Sequence, residues 1–508
     1  MEVENGVGND KKENFIEENL ILNQQEANYG TVSTTSNLIN IDQILDKIGY
    51  TRYHILVIII TAFTLIADGA EIYTIYLISP ILRKVYNLPT PIVALLSSCL
   101  FIGFGIGSFF SGSITTLYKR KVPMLVSLFI IMFFGTICVL IDNIWFFIGC
   151  RLLIGLGVGI LINFLNALCE ILPSRGRDFI MGSIFFFWKI GIVYFCLICF
   201  IFMNNTLDER HWKICTVLGV LPNFVSFILI LFFYEESPRL LLWNDEIDEG
   251  FMILEKLGSY NNVIITNQDK EGIKEFIKLE KDVKSSSNPC QVIKIIFSSP
   301  LTMLSILVFL LWFFNSAILY MNHYSYPLII NRLNAGINNK NKHKLIEELI
   351  YANIIPIPAE FLAGALTATA FFGRKYTIGI GFFFQMVFSF IMCMESRYLF
   401  IYSSMITFFN VLSFNITKLY TCEAYHTRFR DNANGFGNAM SRIGGFMVPF
   451  IAELGFYSLK TFGPIMIICG LSFVAVICTL SLPYDTYGKP LDDIKLYHNK
   501  EKEIKEIK

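Results

Sequence analysis

Two carboxylates stand three residues apart in the run FTLIADGAEIYTIY, residues 63–76: Asp68 and Glu71. The chain around them, from His54 to Leu82, is otherwise nearly all apolar. At i and i+3 of a helix the two acids share a face. Two carboxyls this close in a low-dielectric setting do not both ionise easily. One is therefore expected to hold a proton near neutral pH, as a proton carrier or a substrate contact. The structural alternative is that one acid pairs with a basic neighbour and fixes helix packing. Gly69, between them, marks either a local break or a close approach of helices.

Lys189, Glu360 and Arg442 interrupt other apolar runs. A charge at a bilayer centre costs on the order of 2.5–3.5 kcal/mol, so such groups are paired, buried in protein or facing water. Lys189 lies about ten residues, or about 15 Å, into its run, which is the midplane of a span. A cation there attracts a carboxylate-bearing solute; the alternative is a salt bridge to Glu71 or Glu360. Trp188 beside it is a stacking surface for a ligand or a core filler. In FFNSAILYMNHYSYP (313–327), Asn315, Tyr320, Asn322 and Tyr324 offer hydrogen bonds to a polar ligand. Tyr324 and Tyr326 also read as part of an aromatic belt at a membrane interface.

The elements that must position these groups are membrane helices. Of 508 residues, 54% are hydrophobic and only 16% charged, with 48 Phe and no net charge. Soluble domains carry about 25% charged residues. Apolar runs long enough to span recur near 54–82, 91–117, 122–141, 144–169, 179–203, 213–234, 300–322, 346–370, 376–394, 398–421, 433–458 and 463–483. The reading is an all-α polytopic membrane protein with twelve transmembrane helices. It divides into a tail, 1–50, largely disordered; a six-helix bundle, 51–234; a linker, 235–299; a second six-helix bundle, 300–484; and a tail, 485–508. The polar, acidic N-terminus does not read as a signal peptide. Most of the twelve Cys lie in apolar runs and read as small hydrophobes. No HExxH pattern occurs, and neither a metal site nor a cofactor is expected. Neutral overall charge gives no reason to expect a nucleic acid.

Lys119, Arg120, Lys121, Arg175, Arg177, Arg374, Lys375, Arg428 and Arg430 fall in alternate loops, which places both termini in the cytoplasm by the positive-inside rule. The Asn/Lys-rich stretch 331–344 is an exception that weakens the count without reversing it. The two halves also repeat. EILPSRGRDFIMG from Glu170 and EAYHTRFRDNANG from Glu423 share Glu, Arg, Arg, Asp and Gly at one offset. WKIG (188–191) matches SRIG (441–444) at that offset, and KRK (119–121) matches GRK (373–375) one residue further. Lys189 is thus the repeat mate of Arg442. Two bundles from one unit imply a pathway between them at the midplane. GFGIG (103–107) and GLGVG (155–159) are not dinucleotide loops, because no strand precedes them. Their glycines form small-xxx-small faces for helix packing.

These features together resemble the major facilitator superfamily over most of the chain. Its loop pattern G-x-x-x-D-x-x-G-R-R appears as Gly112, Thr116, Lys119, Arg120, Lys121, and again as Ala370, Gly373, Arg374, Lys375, without the Asp in either copy. Arg151, Gly155, Gly157 and Gly159 match its fourth-helix pattern, and YEESPRLLLW (234–243) is similar to the sugar-porter signature. NIDQILDKIGYTRYHI (40–55) leading into ADGAE resembles the branch holding niacin transporters and synaptic-vesicle-glycoprotein-like proteins. The resemblance implies two pseudo-symmetric six-helix bundles and alternating access. It implies a cytoplasmic gate of inter-bundle salt bridges, drawn here from Arg120, Glu170, Arg175, Arg177, Glu236, Arg239, Arg374, Glu423, Arg428 and Arg430 in place of the missing Asp. It also brings the fifth and eighth helices together, so that a Lys189–Glu360 pair would break as the cavity switches sides.

The expected activity is secondary transport, not enzymatic catalysis. A small organic anion enters, with pantothenate the first candidate, by proton-coupled symport; sodium is the other possible coupling ion. Absence of the sugar porters' paired Gln before the seventh-span motif argues against a hexose. Another vitamin, a sugar alcohol, an organic cation, or a non-transporting receptor or scaffold are the alternatives. The expected partners are the substrate and the lipid bilayer, for a monomer in the plasma membrane, an organelle membrane remaining the alternative.

Overall fold

The computed structural model describes residues 39–161, 163–203, 211–284, 296–297, 301–335, 345–368, 373–395, 397–425 and 427–486. Every regular element among them is a helix. The first bundle contains spans Arg52–Val85, Thr90–Tyr118, Lys121–Ile137, Ile144–Ile171, Ser174–Met203 and Trp212–Phe233. The second contains Thr302–Ala335, Leu345–Ala368, Arg374–Met394, Leu399–Ala424, Thr427–Ser458 and Gly463–Leu480. Ten of these are long and apolar enough to cross a membrane. The third is shorter, at 17 residues, which is about 25 Å of helix. The eleventh has 32 residues, but RFRDNANGFGN at its start, Arg442 and Glu453 dilute its apolar character. Its register in the repeat identifies it better than its hydropathy does.

The seventh span runs to Ala335, well beyond the 300–322 expected from sequence. Its C-terminal half is rich in Asn, His, Tyr and Ser, which lowers the apolar signal without breaking the helix. Among the described residues, the fifth, sixth and eighth spans contain interruptions. The eighth is divided between Leu345–Ile354 and Ile357–Ala368, where Pro356 has no N–H to give and clashes with the preceding turn. The fifth tightens into a turn at Ile184–Phe185, before the helix Phe186–Met203.

Helix pairing repeats between the halves. Spans 2 and 4, 1 and 5, 3 and 4, and 3 and 6 pack together in the first bundle; 8 and 10, 7 and 11, 9 and 10, and 9 and 12 do so in the second. Between bundles, span 2 meets span 11 and span 5 meets span 8, the same contact generated twice by a pseudo-twofold. Lipid supplies no hydrophobic drive between helices, so close packing has to hold them. Glycine provides it: a Cβ on Gly103, Gly107, Gly155 or Gly159 would collide with backbone of the facing span, from Leu152, Leu156, Leu100 or Phe104. Gly69 and Gly191 do the same for spans 1 and 5, against the carbonyls of Trp188 and Ile66. Gly69 therefore serves close approach; the helix continues through it.

Residues 41–48, which the sequence reading leaves in the disordered tail, form a helix capped by Asn40 and Gln43. Ile41, Ile44, Leu45 and Ile48 are its buried stripe, the i, i+3, i+4, i+7 pattern of an amphipathic helix. Asp42 pairs with Arg177 at 3.2 Å and Arg239 at 2.8 Å, and Lys47 with Asp269 at 3.1 Å. Asp46 accepts the Ser174 N–H at 2.6 Å. The Ser174 hydroxyl, then its backbone N–H, hold the Asp46 carboxyl below the usual range. The 235–299 linker is not a bare polar tether, since it carries helices Pro238–Trp243, Ile247–Tyr260 and Asn267–Lys284. The end of the molecule holding these helices is termed inner, the opposite end outer.

Candidate functional site

Asp68 and Glu71 have different partners despite their spacing. Glu71 is bonded to Arg151 of the fourth span, with side-chain exposures of 2% and 0%, inside the first bundle. The Arg151 guanidinium also lies 4.8 Å over the Phe147 ring. A bridge from Lys189 to Glu71, one of the alternatives read from the sequence, is replaced by this pair. Asp68 instead accepts the Trp188 indole N–H at 2.9 Å. Its other oxygen is buried without a protein partner, and Arg442 of the opposite bundle lies within electrostatic reach.

Arg442 donates to the Tyr320 hydroxyl at 3.3 Å and to Asn438 Oδ1 at 3.1 Å. Its guanidinium stacks 3.6 Å over the Phe104 ring of the other bundle, and its Nε has no partner. Lys189, 1% exposed, sits 3.3 Å from His323 Nε2 and 5.2 Å over Trp188. Glu360, 4% exposed, accepts from Asn415 at 3.1 Å. Lys189 and Lys418 are both within electrostatic reach of Glu360, but neither makes a direct ion pair with it among the described residues. The expected Lys189–Glu360 bridge is therefore open in this state. Lys418 lies 3.4 Å from Asn415 Oδ1 and 4.1 Å over Phe185 of the first bundle.

Both Lys189 and Glu360 are placed in the first turn or so after an interruption of their spans. An interrupted membrane helix presents a half-helix end that can face a charged group. The positive end of the half-helix dipole favours the Glu360 carboxylate. Across the seam between bundles, Asp68, Lys189, His323, Glu360, Lys418 and Arg442 thus form one polar belt. Asn315 and Asn322 do not join it as free donors. Asn315 bonds Leu311, Thr417 and Ser413, and Asn322 bonds Ser403 and Thr407. Tyr324 donates to Glu453 at 3.0 Å, buried away from any belt at the lipid surface.

The ion pairs of the inner charges among the described residues lie within each bundle. Arg120 bonds Glu170, and Arg374 bonds Glu423 at 3.2 Å, at repeat-matched positions. Glu236 accepts the N–H groups of Arg120 and Lys121 at 2.9 and 2.8 Å, capping the third span. Asp485 accepts the N–H of Arg374 at 2.9 Å, capping the ninth. Lys119 and Gly373 share a left-handed backbone, with φ of 63° and 72°. The repeat retains the turn even where Lys replaces Gly. Arg177 and Arg239 hold Asp42, while Arg175 is placed at the surface with its carbonyl accepting from Tyr50. The side chains of Arg428 and Arg430 lie outside the described residues, as does the stretch 336–344.

Sequence reasoning passed over His323, Lys418, Glu453 and the role of Arg151. The signal for Lys418 was the one used for Lys189, a lone cation in an apolar run. Cys196 and Cys199 have C-x-x-C spacing, also passed over; both are buried on the fifth span. No group of three or more metal-ligating side chains occurs among the described residues.

The family model for sugar (and other) transporters matches residues 27–497. The synaptic vesicle 2-related protein of Xenopus laevis is 23% identical over 90% of this chain and 83% of its own. The putative transporter svop-1 of Caenorhabditis elegans is 24% identical over 89% and 86%. Among solved structures, the inward-open xylose transporter XylE of E. coli aligns with a TM-score of 0.68 at 14% identity, covering 87% of this chain and 99% of that one. The proton:xylose symporter XylE bound to 6-bromo-6-deoxy-D-glucose aligns at 0.66, also with 14% identity, over 88% and 99%.

Proposed function

Because the chain belongs to the sugar (and other) transporter family, within the major facilitator superfamily, we propose that it moves a small organic anion by alternating access, coupled to protons. The carrying observation is the charge of the belt. Among the described residues, the carboxylates within reach of Lys189, Lys418 and Arg442 are Asp68 and Glu360, because Glu71 is engaged by Arg151 inside the first bundle. A cavity opening along this seam presents an excess of cation, which a carboxylate substrate neutralises. Pantothenate is the first candidate: one carboxylate on a polar, uncharged body. Asp68 supplies the proton site, buried, half-satisfied and opposite a cation that the substrate engages. A similar solved structure is named a proton:xylose symporter; a sugar is disfavoured in this chain because the seventh-span amides are already bonded to neighbouring helices.

The protein is proposed to act as a monomer in the plasma membrane with both termini cytoplasmic. Relatives named for synaptic vesicles make an organelle membrane the alternative, which immunolocalisation decides. The test of transport is radiolabelled uptake by purified protein in liposomes, comparing pantothenate, niacin, inositol and glucose with and without a pH gradient. Saturable pantothenate uptake that rises with an inward proton gradient is expected. No pantothenate uptake refutes the substrate, and gradient-independent uptake refutes the coupling.

A further inference from the structure

A second charged chamber lies outside the belt, at the outer end of the seam. It has a volume of about 490 Å³ and is lined by three cationic side chains, Arg83, Lys84 and Arg332, against one carboxylate, Glu453. Arg83 comes from the first span, in the first bundle; Arg332 and Glu453 come from the seventh and eleventh, in the second. Glu453 is 6% exposed. One of its oxygens accepts from Tyr324 at 3.0 Å, and the other stands 3.7 Å from Arg83. Arg332 is stacked 4.0 Å over Phe456 and lies within electrostatic reach of both Glu453 and Arg83.

The partners are unequally placed for an opening motion. If the outer ends separate, Glu453 keeps Tyr324 and Arg332, which travel with its own bundle. Arg83 loses its carboxylate and, among the described residues, keeps the Thr90 hydroxyl, 3.1 Å away on its own bundle. The opened chamber therefore presents an arginine in need of an anion, with a second arginine on the facing wall. A clefted field of one sign concentrates oppositely charged solutes, by a factor of 10 to 10³ that salt suppresses.

We propose that this outer chamber is a carboxylate-capture site, in which the incoming solute replaces Glu453 as the partner of Arg83 and so favours outer opening. The inference rests on the anion reading above for its biological ligand, but the chamber's selectivity is measurable without transport. Asn331 lines the chamber, and Asn331→Cys places a reporter thiol there. Purified protein is treated with a sulfonate-bearing or an ammonium-bearing methanethiosulfonate, each rate being normalised to that of a free thiol and corrected for the protein without the added Cys. The expected result is a preference of about tenfold for the anionic reagent, lost in Arg83→Gln/Arg332→Gln and suppressed by 0.5 M salt. Pantothenate, but not its neutral alcohol, should slow the modification, and Glu453→Gln should raise the anionic rate. Equal normalised rates for the two reagents, or a preference unchanged in the double variant, overturn the proposal. Because no step of the assay involves translocation, absence of pantothenate uptake refutes the transport reading and leaves this one standing.

Discussion

Replacing Glu71 with Leu separates a structural acid from a working one. The change keeps similar volume and removes the carboxylate bonded to Arg151. Arg151 is 0% exposed, and its Nε and Nη2 already lack protein partners, so Glu71 is the ionic partner described for the buried guanidinium. Removing one member of such a pair costs about 3–5 kcal/mol, because the surviving charge stays buried and uncompensated. Replacing both members with apolar groups is often neutral, or stabilising by about 1–4 kcal/mol. Glu71→Leu should therefore unfold at clearly lower temperature in detergent, followed by fluorescence size-exclusion after heating. Glu71→Leu/Arg151→Met should recover most or all of the loss. Reconstituted in liposomes, the double variant should still respond to a proton gradient. A single variant as stable as the native chain, or a double variant no better than the single, refutes the pairing. A stable double variant that has lost the gradient response refutes the structural assignment of Glu71.

Asp68→Asn should retain substrate binding while uptake becomes insensitive to the pH gradient; if Glu360→Gln does this instead, Glu360 is the proton carrier. Lys189→Gln and Lys418→Gln should each raise KM for the anion by about tenfold, the worth of one charge-assisted hydrogen bond, with little change for a neutral analogue; unchanged KM in both refutes the cationic belt. Gly155→Leu should give no monodisperse protein, because its side chain meets the Leu100 carbonyl; a normal elution profile refutes the close crossing of spans 2 and 4. Asp46 titrates lower folded than unfolded, held first by the Ser174 hydroxyl, so it stabilises the 41–48 helix at neutral pH and ceases to as pH falls below the ordinary carboxylate range. Hydrogen exchange of residues 41–48, corrected for intrinsic rates, should quicken across that window in the native chain, whereas in Asp46→Ala it should be fast at every pH.

Charge in an apolar run was legible, because the bilayer penalises it whatever the fold. The partners were not, since pairing depends on distant segments: Arg151 is 80 positions from Glu71. Nor could spacing reveal that Asp68 and Glu71 part company, one toward Trp188 on the seam and the other into the bundle. The sequence reading counted 433–458 as an apolar run, yet the helix there is too polar to rank with the ten apolar spans, and it is the repeated packing of the two bundles that places it. The inner charges were recognised as a set, but whether they bridge bundles depends on the conformational state, which residue types do not encode. The 41–48 helix was missed because its apolar stripe is only four residues and binds a surface made by segments far away. The eighth span was read as one run, 346–370, and its break at Pro356 was passed over, although the two prolines of IIPIPAE carry the signal for it.

The glycine crossings distribute mechanical compliance unevenly. Where two backbones touch, as between Gly155 and Leu100 or Gly191 and Ile66, no rotamer change can absorb a displacement. Spans 2 and 4, and 1 and 5, are in effect welded. At the seam several contacts are made by side-chain ends: Arg442 on Phe104, Lys418 on Phe185, Tyr76 against Tyr324. These can re-form after a shift of several ångströms. A displacement of one helix of such a pair must therefore carry the other with it, whereas the seam can yield.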